Sequence, residues 1–96
     1  MRLHREWADA AHLYWRALPR TVRELWPRPS RVQVTLTFPT MRRRDPHNYV
    51  GTVCKAIVDG LVHAHVWPDD TAEWVTVSEP VLKVGKPWVT VRLEAR

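Results

Sequence analysis

Arg31-Val32-Gln33-Val34-Thr35-Leu36-Thr37-Phe38 alternates apolar and polar side chains without a break. With a side-chain period of two, Val32, Val34, Leu36 and Phe38 share one face while Gln33, Thr35 and Thr37 share the other. The segment therefore reads as a half-buried strand that needs partners and a cover. Upstream, Leu3, Trp7, Ala10, Ala11, Tyr14 and Leu18 recur at helical spacing, which predicts an amphipathic helix over 3–18 stopping before Pro19. Thr21 is placed to cap a short second helix over 22–26, ended by Pro27 and Pro29. Downstream, a basic connector runs from Pro39 to Pro46. Asn48 is then placed to cap a helix over 49–65 whose apolar stripe is Val50, Val53, Cys54, Ile57, Val58, Leu61 and Val62. Lys55, Asp59 and His63 lie four apart on its opposite face. Trp67-Pro68 breaks the pattern and Asp69-Asp70-Thr71 makes a turn. Two β-rich runs, 74–83 and 87–94, meet around Gly85-Lys86 as a tight hairpin would. The order is α-α-β-α-β-β, an α+β fold with a small mixed sheet of about three strands covered by helices.

Ninety-six residues suffice for one domain with a modest core. The formal charge of +5, with 15 Lys and Arg against 10 Asp and Glu, favours a polyanionic partner. Twelve of those cations are Arg, whose planar fork suits bidentate phosphate contacts. The single cysteine, Cys54, excludes an internal disulfide and fits a reducing compartment. No apolar run approaches membrane-spanning length, and no signal-peptide core opens the chain, so a cytoplasmic protein is expected.

Chemistry concentrates in Arg42-Arg43-Arg44-Asp45-Pro46-His47-Asn48 and, beyond the helix, in Trp67-Pro68-Asp69-Asp70. Guanidinium groups hold an anionic backbone, while carboxylates hold a hard divalent ion that activates water. Separately, each motif reads more readily as a charged loop or a solvated turn. A helix of that length spans roughly 25 Å, so Asp45 and Asp70 share an ion only if the chain folds back or strand pairing brings them together. His63 and His65 do not share a helical face, and no closed zinc-type spacing is present. Cys54 and Trp67 read as core, Trp67 positioning the acidic turn. Trp74 and Trp88 read as a cross-strand pair in the hairpin or as part of a dimer surface. Arg16, Arg20, Arg23 and Arg28 gather near the first helices, either as a solvated face or as a second backbone-binding patch.

In order, these pieces resemble the RusA family of Holliday junction resolvases. That family's pattern is a basic run, Asp-x-Asp-Asn, a helix carrying Lys-Ala and Asp-x-Leu, then Asp-Asp. Here it reads Arg43-Arg44-Asp45-Pro46-His47-Asn48, Lys55-Ala56, Asp59-Gly60-Leu61 and Asp69-Asp70. The resemblance covers about residues 31–94. It implies a bacterial or phage endonuclease of recombination and repair that works as a homodimer. Four-way DNA junctions would be its substrate, cut with Mg²⁺ or Mn²⁺. By position, Asp45, Asp70 and Lys55 would be catalytic. Asp45, His47, Asp69 and Asp70 would hold the metal, and Arg42, Arg43, Arg44, Arg20 and Arg28 would contact DNA. The chain departs from the pattern in three places. His47 replaces a carboxylate, which suits Mn²⁺ better than Mg²⁺ and leaves open a relative that binds branched DNA without cleaving it. Lys55 lies four residues later than in the pattern, about one helical turn, or roughly 6 Å along the axis. The chain also opens in a helix where the family begins with a strand.

Overall fold

The computed structural model describes residues 2–96, with side chains from His4 onward. It is a small mixed α+β fold of three helices and a four-stranded sheet. The helices are α1 (Arg2–Ala17), α2 (Arg20–Arg23) and α3 (Lys55–His63); the strands are β1 (Ser30–Phe38), β2 (Val75–Val77), β3 (Val81–Val84) and β4 (Trp88–Ala95). The 31–38 alternation becomes the strand on which everything else is built. Val32, Val34 and Leu36 are buried against the helices, and Gln33, Thr35 and Thr37 turn to the more open face.

β1 has partners on both edges. β4 runs antiparallel along one edge, pairing Ser30 with Ala95 through Thr37 with Trp88. The other edge is shared in series: β2 runs parallel beside Ser30–Val32, and β3 parallel beside Thr35–Phe38. The run expected over 74–83 is thus one strand broken in the middle. Pro80 lacks the N–H a continuous ladder needs, and the Ser78 N–H bridges the gap to the Val32 carbonyl at 2.9 Å.

The expected Gly85-Lys86 hairpin does not form. β3 and β4 lie on opposite edges of β1, and residues 85–87 cross over its end, where the Gly85 N–H donates to the Phe38 carbonyl at 2.8 Å. Pairing β3 with β4 directly would have left one edge of the most apolar strand bare. Trp74 and Trp88 consequently do not face each other; Trp74 precedes β2, and Trp88 is exposed on the far edge.

The helices also differ in detail from the pattern. Trp7, Ala11 and Trp15 of α1 pack on the core, whereas Tyr14 and Leu18 are exposed. They line one wall of an apolar groove of about 880 Å³ that faces Trp88 and Val91 of the sheet. The side chain of Leu3 lies outside the described residues. α2 begins at Arg20 after Pro19, so Thr21 sits inside it and caps nothing. Ahead of α3 the chain makes a tight turn over Pro46–Tyr49 and a wide one over Val50–Cys54 before regular α geometry begins. Its cap is Asp45, whose carboxylate accepts the His47 N–H at 3.0 Å; Asn48 instead offers its carbonyl to the Thr52 hydroxyl.

α3 ends two residues early, at His63. The Val66 N–H reaches the Leu61 carbonyl and the His65 N–H the Val62 carbonyl, the paired bonds of a Schellman cap. His65 occupies the left-handed position at φ 66°, where glycine is usual. α1 crosses α3 at Gly60, where the Ala8 backbone lies so close that a Cβ would overlap its carbonyl. Either side of that crossing, His4 Nε2 meets Asp59 Oδ2 at 2.9 Å and the His12 and His63 rings meet at a tilt with centroids 5.3 Å apart. The face expected to point outward is therefore the seam with α1.

Candidate functional site: two charged ends of one strand

Asp45 follows β1 and belongs to the Phe38 end of the sheet. Arg44 lies over the Phe38 ring, its guanidinium carbon 3.9 Å from the ring centroid, and donates to the carbonyls of Thr40 and Arg42. The Phe38 and Tyr49 rings, 5.9 Å apart, close this corner. Arg44 thus shapes the connector, and its fork is turned onto the protein itself. Arg42 and Arg43 are exposed, and neither pairs with a carboxylate among the described residues. Asp45 is exposed as well, with one carboxylate oxygen engaged as a cap. His47 stands beside it on the surface.

Asp69 and Asp70 occupy the other end. Trp67 is buried, as its reading as core predicted, and its indole N–H donates to the Arg28 carbonyl at 3.0 Å, with Ser30 Oγ at 3.3 Å. Those two bonds tie the acidic turn to the start of β1. The Trp26 indole N–H also donates to Ser30 Oγ, which passes its own proton to the Arg28 carbonyl, so this buried hydroxyl is fully satisfied. Asp69 Oδ1 accepts the Asp70 N–H at 2.7 Å, and both residues are exposed. Arg96 donates to the carbonyls of Ala72 and Glu73 and fastens the far side of the turn.

The nine residues of β1 span roughly 30 Å at about 3.3 Å per residue. Two carboxylates sharing one ion must each come within about 2.6 Å of it. Within one chain the structure therefore does not bring Asp45 and Asp70 together. No group of three or more His, Cys, Asp or Glu side chains converges on a common point among the described residues.

Lys55 opens α3 with its ammonium 3.7 Å from Asp59 Oδ1, one turn further from Asp45. It stands in the Lys55–Asp59–His4 chain along the α1 seam. Arg20 is paired with Glu24 at 2.7 Å, and Arg28 lies 6.0 Å from the Trp26 ring, near the acidic turn. Cys54 is buried, and loss of water pushes its thiol pKa up from the usual 9.0, as suits a core position.

Arg16 and Arg23, read from the sequence as a solvated face or a second backbone-binding patch, line a cleft at the ends of α1 and α3 together with His12, His63 and His65, which the sequence reading did not join to them. The available signal was the four-residue spacing of Asp59 and His63, which fixes the edge of α3 that meets α1. No helix among the described residues is long and apolar enough to cross a membrane. No protein-family model matches the chain, and no curated protein or solved structure is significantly similar to it.

Proposed function

We propose that the protein is a divalent-metal-dependent endonuclease of the RusA type that nicks four-way DNA junctions as a homodimer. The observation that carries this reading is the disposition of charge about β1. An exposed carboxylate lies between two uncommitted arginines and His47 at one end, and an exposed carboxylate pair lies at the other. The ordered motif from Arg43 to Asp70 supports it from the sequence. Neither end is a complete metal site. Two copies related by a two-fold axis could set Asp45 and His47 of one beside Asp69 and Asp70 of the other, and symmetry would then make two such sites.

Three carboxylates and an imidazole suit Mn²⁺ and tolerate Mg²⁺. A bound ion would supply an activated water and neutralise charge building on the phosphate. The residues of the chain have their own tasks. Arg42 and Arg43 hold the strand by its phosphates, and the bond from the His47 N–H fixes one oxygen of the Asp45 carboxylate over the first turn. Trp67 anchors the acidic turn against Arg28 and Ser30. Lys55 is close enough to Asp59 to fix the α1 seam, and it contacts phosphate only by leaving that carboxylate.

A second reading, a protein that binds branched DNA without cutting it, is favoured by His47 and by the lack of a three-ligand cluster among the described residues. A synthetic four-way junction with Mn²⁺ or Mg²⁺ separates the two. The nuclease reading expects paired nicks that vanish in Asp70→Asn. Tight binding with no nicking under any divalent ion supports the second reading and removes the first.

A further inference from the structure

The cleft between the ends of α1 and α3 has a volume of about 670 Å³ and a lining rich in Arg and His. Three segments converge on it: His12 and Arg16 from α1, Arg23 from α2, and His63 and His65 from the end of α3. No carboxylate lines it, and Pro68 at its lip leads straight into Asp69 and Asp70. Arg23 Nε is spent on the Leu18 carbonyl at 3.0 Å, which fixes the side chain and leaves the fork's outer nitrogens available. Arg16 has no carboxylate partner among the described residues.

The rest of the polar lining is imidazole. The His12 and His63 rings meet at a 60° tilt with centroids 5.3 Å apart, which sets two imidazoles side by side at the cleft. His65 is held at φ 66°, a conformation that histidine adopts at a penalty, and this carries a third imidazole to the cleft.

We infer that this cleft binds phosphodiester groups of a DNA strand and leads that strand toward Asp69 and Asp70. The inference rests on the reading of DNA as the partner. Arg16 and Arg23 give permanent charge, and the three imidazoles offer further polar contacts to phosphate oxygens. Asp69 and Asp70 are exposed just beyond the lip.

The test measures four-way-junction binding by fluorescence anisotropy in EDTA, so cleavage plays no part. The wild-type log K should fall steeply against log salt. Arg16→Gln should weaken binding about tenfold and lower the salt slope by about one. His12→Gln/His63→Gln should also weaken binding, by about threefold. Circular dichroism checks that the variants fold. Folded variants with wild-type affinity and salt slope overturn the inference. If the wild type binds no DNA, the proposed function fails separately. The cleft is then judged by NMR of the histidine rings with inorganic pyrophosphate: shifts confined to His12, His63 and His65 support it as a phosphate site, and unmoved rings overturn it.

Discussion

Replacing Gly60 with alanine tests the α1–α3 crossing that underlies the whole arrangement. A Cβ built at Gly60 lies 2.8 Å from both the carbonyl carbon and the Cα of Ala8, and closer still to its carbonyl oxygen. All three are backbone atoms, so no rotamer change relieves the overlap. The helices must separate by about 1 Å, which also loosens the His4–Asp59 and His12–His63 contacts on either side. Overpacking of this kind costs about 1–3 kcal/mol or more. Against it stands the helix-propensity gain of about 1 kcal/mol for alanine over glycine. Because the clash is backbone on backbone, the upper value of about 3 kcal/mol applies and the net loss is about 2 kcal/mol. For a domain of this size that lowers Tm by roughly 8–16 °C. Gly51→Ala is the control, since nothing lies within 4 Å of its added Cβ. Thermal and urea unfolding followed by circular dichroism gives both values. Gly51→Ala should be neutral or slightly stabilising. If Gly60→Ala matches that control, the close crossing is wrong.

His65→Gly removes the penalty of a left-handed histidine and should stabilise the fold by about 0.5–1 kcal/mol after the flexibility of the unfolded glycine is deducted. The same variant should bind junction DNA less tightly, measured beside wild type, so that stability and affinity move in opposite directions. Burial keeps Cys54 protonated in the folded state, while the unfolded thiol ionises near its ordinary pKa of 9.0. Its contribution to stability is thus complete below that pH and is lost as pH rises above it. Urea titrations between pH 8 and pH 10.5 should show this decline in wild type and a smaller one in Cys54→Ala. Equal slopes would contradict the burial of the thiol.

Local pattern carried part of this fold into view. The alternation from Val32 to Phe38 identified β1, because one face of a strand packed on helices must alternate. The apolar stripe of α3, including Cys54, and the burial of Trp67 were readable for the same reason. The pairing of strands was not. Whether the 74–84 run joins β4 or β1 depends on which edge of β1 would otherwise stay open, and that is a property of the assembled sheet. The cap of the helical segment also went to Asp45 rather than Asn48, as Pro46 fits the first helical position and leaves the residue before it as the cap. The charged motifs were visible as motifs, but their separation was not, since it follows from β1 and α3 running the length of the molecule between them. The cleft at His12, Arg16, Arg23, His63 and His65 joins positions far apart in the chain and has no local signature.

The claim that two copies complete the metal site is tested most directly by mixing two inactive variants. Asp45→Asn and Asp70→Asn are purified separately, combined under conditions that allow subunit exchange, and assayed for nicking of a four-way junction with Mn²⁺. Random exchange makes about half of the dimers mixed, each with one intact site out of two by two-fold symmetry, so about a quarter of wild-type nicking should return. A mixture as inactive as its components, beside an active wild type and with exchange demonstrated, would contradict the shared site.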